Sequence, residues 1–155
     1  MAAGFIKTSI WRPALVATLL CGTLDILFAA ILSSFFGKGP ATMLRGVASG
    51  PFPGATEWGA AGSALGLATH FTLMAIMVIV FMLAARGRTS TLNRPWVSGL
   101  IYGLITYVVM NLIVVPVRFD SPLPPPARAI LTQLFAHIVL VGWPTAIIAR
   151  RYLRA

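Results

Sequence analysis

Between Trp58 and Arg86 the chain runs for a full membrane width with a single ionisable side chain, His70. About 20 apolar residues are enough to cross the hydrocarbon core of a bilayer, and this run exceeds that. Three more apolar runs begin near Pro13, Pro95 and Arg128. Backbone in hydrocarbon has no water to bond, so consecutive apolar runs of this length resolve into helices. The sequence therefore predicts an all-α, polytopic membrane protein. It reads as one membrane domain over residues 1–155, with four transmembrane helices at about 13–36, 58–85, 95–117 and 128–149.

Composition agrees, since 58% of the 155 residues are hydrophobic and only 10% are charged, against about 25% charged in a soluble domain. The net charge of +9 comes from 12 Lys and Arg against three acids. Taken alone, such a balance would point to nucleic acid. The cations instead flank the apolar runs, at Lys7, Arg12, Arg86, Arg88, Arg94, Arg150, Arg151 and Arg154, where they anchor helices at anionic headgroups. The expected partner is the lipid bilayer, not nucleic acid. These eight lie in the segments assigned to one side, and the two loops on the other side carry Lys38, Arg45, Arg118 and Arg128 with Glu57 and Asp120. By the positive-inside rule both termini are expected in the cytoplasm. The first run, Pro13 to Gly37, is longer than a signal-peptide core and lacks a clear cleavage site, so it reads as an uncleaved first helix. A single cysteine, Cys21, excludes an intramolecular disulfide.

The first helix carries Asp25 on a face of small residues, Thr18, Cys21, Gly22 and Ala29, and small faces are packing faces in membranes. Gly62 and Gly66 on the second helix, and Gly99 and Gly103 on the third, have the spacing that lets backbones approach closely. The 37–57 connection is read as a loop with a short interfacial helix over Ala41–Ser49, the other option being a re-entrant segment. Pro116 and Gly142-Trp143-Pro144 are expected kinks. The chain also reads as two hairpins in tandem. In each, the outgoing helix carries an Asp or Asn, Asp25 or Asn111, and the returning helix a His, His70 or His137.

At a rise of about 1.5 Å per residue, Asp25, His70, Asn111 and His137 fall within about two turns of one depth. A single cluster of Asp25, His70, Tyr107, Asn111, Gln133 and His137 is therefore expected. A carboxylate at the bilayer centre costs about 2.5–3.5 kcal/mol even on the lenient insertion scale, which makes Asp25 a residue that needs a partner. Hydrogen-bonded helix glue is the plain alternative for every member. His70 and His137 could also be axial haem ligands, and His70, Met74 and Met77 share one face in a pattern that suits Cu(I); no metal site is assigned on this basis. No nucleophile elbow, phosphate loop, zinc motif or paired carboxylate is present, which leaves enzyme chemistry unsupported.

The segments Gly22-Thr-Leu-Asp25, Gly66-Leu-Ala-Thr-His70-Phe71, Tyr102 through Asn111 to Val115-Pro116, and His137 through Pro144 to Arg151 resemble a family of small bacterial inner-membrane proteins with four helices. The resemblance covers nearly the whole chain; it implies bacterial origin and this architecture and brings no activity with it. The functional expectation is small-solute or proton-linked transport or ligand binding at the polar cluster, by a homo-oligomer or with a partner membrane protein. The alternatives are a structural or assembly subunit of a larger membrane complex and a bis-histidine haem electron carrier.

Overall fold

The computed structural model describes residues 9–154, so the anchor Lys7 lies outside the described residues. Four long helices cross the molecule: α1 (Trp11–Phe35), α3 (Gly59–Ala85), α5 (Pro95–Phe119) and α6 (Ala127–Leu153). Between them lie two short ones, α2 (Pro40–Ala48) and α4 (Thr89–Asn93). Each long helix is long and apolar enough to span a membrane, and no strand occurs among the described residues. The protein is a membrane protein of four spanning helices.

Their bounds follow the sequence reading within a few residues. α6 continues to Leu153 because Arg150 and Arg151 are good helix formers and sit in its last turn, where a cation faces the negative end of the helix dipole. The proline in the first turn of α1, Pro13, gives up only an N–H that has no intrahelical partner there. The polar 86–94 linker contains α4, which the sequence reading passed over; it buries Leu92 under the bundle.

α1 lies between α3 and α6, and α5 packs against α6. Small side chains set the spacing. α1 buries Pro13, Ala14, Ala17, Thr18, Cys21 and Gly22, and the larger Met74, Val78, Phe81 and Met82 of α3 fill the core opposite. α3 and α5 meet through Tyr102, whose hydroxyl donates to the Met77 carbonyl and whose ring lies 4.7 Å from that of Phe81. All of these contacts belong to the half of the bundle that holds Ile10 and Leu153. The buried positions of α1 stop at Gly22, and the deeply buried side chains of α3 begin at Met74. Toward the α2 end α3 and α5 part, while α1 and α6 stay in touch through Phe28 and Phe135, whose ring centroids lie 5.3 Å apart.

α2 and the turn Pro53–Glu57 lie over that parted end. The pair Gly62 and Gly66 brings backbones together as expected, but the partner is α2 and its turn rather than a spanning helix. A Cβ on Gly66 would run into the carbonyl of Leu44, and one on Gly62 into that of Ala55. The Ser63 hydroxyl adds a bond to the Ala41 carbonyl at 3.1 Å. Gly66→Val is therefore expected to lift α2 from α3, at a cost of about 1–3 kcal/mol. Protease cleavage within residues 49–58 should accelerate, while the four long helices persist by circular dichroism; unchanged cleavage would show that α2 is not held there.

The proline kinks take a specific form. In α5 the stretch Val108–Val114, and in α6 the stretch Ala136–Gly142, are π-helical. Each ends two residues before a proline, Pro116 or Pro144. A proline in mid-helix cannot donate to the carbonyl four residues back and its ring presses on it; the wider turn relieves that clash without breaking the helix. Asn111 and His137 sit inside these two stretches.

Candidate functional site

Depth follows the sequence reading: Asp25, His70, Asn111 and His137 each lie within roughly one turn of the midpoint of their helix, on its α2 side. Azimuth does not. The expected single cluster is divided into two groups, each within one hairpin.

The first group joins α1 to α3. His70 Nε2–H donates to the Gly22 carbonyl at 2.9 Å, which leaves Nδ1 toward Asp25 Oδ2 at 3.9 Å. Gly22 makes this contact possible, since the Phe71 ring occupies the place its Cβ would take, with Cε1 at 2.5 Å. With Nε2 committed as donor, Nδ1 is the free proton acceptor of the ring, and it faces a carboxylate. One proton on Nδ1 gives an imidazolium and carboxylate pair. At an effective dielectric near 20 their attraction at this distance is about 4 kcal/mol, reduced where water reaches the carboxylate. The Asp25 side chain is 26% accessible against 12% for His70. The pair sits where the tight half of the bundle ends and the parted half begins. Cys21, one turn before Asp25, turns away to α6, with Sγ 3.4 Å from Thr145 Oγ1.

The second group joins α5 to α6 and is closed. The Thr106 hydroxyl donates to the Gly103 carbonyl at 3.0 Å. Its oxygen therefore accepts the proton of His137 Nδ1, also at 3.0 Å. That fixes the tautomer, so Nε2 is bare and accepts from the Asn111 amide at 3.1 Å. Every polar atom of the imidazole is used and the ring is neutral. The Tyr107 ring closes over it edge-on, with centroids 6.2 Å apart. Backbone contact sets the geometry: Cβ atoms on Gly99 and Gly103 would meet the Gly142 and His137 carbonyls at 2.8 and 2.6 Å.

The expected cluster is corrected accordingly. Asp25 and His70 form one pair; Asn111, His137 and Tyr107 form another, which Thr106 completes. Gln133, half-buried one turn before His137, bonds to neither among the described residues. Thr106 and Thr145 were not singled out in the sequence, and the signal available for Thr106 was its place one turn after Gly103, on the face that meets α6. Arg118 turns from the polar groups altogether and donates to the carbonyls of Ser49 and Gly50 at the end of α2.

These bonds weigh against the metal readings. His137 would have to surrender Asn111 or Thr106 to ligate haem iron, and the one nitrogen that His70 keeps free, Nδ1, faces Asp25. Of the copper-like face, Met74 is buried in the main core and Met77 packs against it. Among the described residues no three His, Cys, Asp or Glu side chains converge. The chain finds no match among protein-family models, curated proteins or solved structures.

Proposed function

We propose that the protein binds a proton at the Asp25–His70 pair and couples it to the binding or transport of a small solute reached from the α2 end. The observation that supports this is the position of an accessible carboxylate 3.9 Å from an imidazole nitrogen, near the midpoints of α1 and α3. The tight half beneath it blocks a continuous pore, so net transport requires the helices to change their packing. The bacterial inner membrane with both termini in the cytoplasm is the setting this reading adopts, on the resemblance and on the placement of the basic residues. Because four helices enclose little room, the working form is an oligomer or includes a partner.

Asp25→Asn keeps the shape of the side chain and removes its charge, and His70→Gln keeps a donor for the Gly22 carbonyl and removes the ring nitrogen that faces Asp25. In proteoliposomes carrying a pH-sensitive dye, either variant is expected to lower proton movement by about tenfold, equivalent to about 1.4 kcal/mol, with helicity unchanged. Wild-type signals in both variants would sink the proposal. They would favour the second reading, an assembly subunit whose polar pairs are helix glue, for which the closed His137 group is the supporting observation; a partner would then co-purify in stoichiometric amount.

A further inference from the structure

The parted seam between α3 and α5 contains a cavity of about 810 Å³ under α2, within the range of about 300–1,000 Å³ that small-molecule sites occupy. Its walls are apolar except for Thr69, Thr72 and Arg118. The Thr72 hydroxyl is spent on the Ala68 carbonyl at 2.8 Å. It opens sideways between the helices, where Leu73 and Val114 remain 37% and 41% exposed. Interiors do not keep voids of this size, so the surrounding medium must fill it.

Arg118 stands at the rim. Its Nε and Nη2 donate to the backbone carbonyls of Gly50 and Ser49, both neutral, and among the described residues no carboxylate lies within ion-pair distance of it. A guanidinium carries five N–H donors, so the side chain, held by these two bonds and by the Phe119 ring 5.3 Å from its Cζ, has donors to spare and no anionic partner. Arginine in such a fixed setting is suited to a phosphate. The roof distinguishes between occupants. A partner's spanning helix, straight and about 10 Å wide, would run into α2 and Phe52 at the end of the seam. A flexible chain entering sideways would not.

We infer that this cavity holds one acyl chain of an anionic phospholipid, with the lipid phosphate on Arg118. The site is separate from the Asp25–His70 pair and does not depend on its role.

Native mass spectrometry of the full chain in detergent, titrated with phosphatidylglycerol and with phosphatidylcholine of the same acyl chains, tests this. One phosphatidylglycerol is expected to bind per chain with about a fivefold preference, the usual effect of one arginine near a headgroup. Arg118→Gln should remove the preference. Ala68→Phe, which fills the cavity from exposed α3 and leaves the Arg118 bonds intact, should weaken both lipids by at least about fivefold. Circular dichroism on both variants checks the fold, and Ala68→Phe stands as the test should Arg118→Gln misfold. Equal binding of the two lipids by the wild type would overturn the headgroup assignment. Undiminished binding by Ala68→Phe would overturn the cavity as the seat, and displacement of the lipid by inorganic phosphate would reduce the site to one for a free anion.

Discussion

Alanine at Gly103 is expected to destabilise the protein by about 3 kcal/mol, the upper part of the range for overpacking. The added methyl would stand 2.6 Å from the His137 carbonyl and 2.7 Å from the Ile138 Cα. Both are backbone atoms, so no side chain can swing aside and α5 and α6 must separate. Separation also lengthens the bonds of His137 to Thr106 and Asn111, because they bridge the same two helices. Reversible unfolding in mixed micelles measures the loss. Gly99→Ala and Gly142→Ala extend the test, since a Cβ on either meets the backbone of the other. Each should cost about 1–3 kcal/mol, and the double variant less than their sum, because helices already apart have room for the second methyl. Strict additivity, or a Gly103→Ala loss below about 0.5 kcal/mol, would mean that this seam does not set the packing.

The second large effect belongs to His137. Truncation to alanine should cost about 3 kcal/mol, chiefly through the void left by a buried ring. The hydrogen bonds contribute less, since polar contacts between membrane helices average only about 0.6 kcal/mol. Thr106 keeps its bond to the Gly103 carbonyl, and half-buried Asn111 can find another partner. His137→Phe restores the ring volume, so it should recover most of the loss and leave proton movement in proteoliposomes as it was. Thermal unfolding and the dye assay read the two outcomes separately. If His137→Phe folds normally but stops proton movement, the closed group is part of the proton path and its assignment as helix glue is wrong.

The contrast between the two histidines shows what could and could not be read from the residues. Span, depth and the need of Asp25 for a partner all follow from counting along apolar runs, because rise per residue is nearly constant. Rotation about each helix axis does not follow. It depends on which glycine meets which backbone: Gly103 was legible as a packing residue, but its partners His137 and Ile138 were not. The π stretches change the rotation again, by widening the turns that carry Asn111 and His137, where the prolines announced only a kink. The tandem pattern placed one Asp or Asn and one His in each hairpin without saying which would pair, and in the structure each pairs within its own hairpin. The same error of rotation placed Gly62 and Gly66 against a spanning helix, when a nine-residue helix in the preceding loop covers them.

A bundle closed on one side and parted on the other is electrically lopsided. On the proposed reading, a proton that comes to Asp25 from the α2 side would cross about half of the membrane field, so each 100 mV would act on it with about 1.2 kcal/mol, half of the full charge-transfer energy. Occupancy of the pair would then track membrane voltage as well as acidity, with opposite slopes for the two polarities.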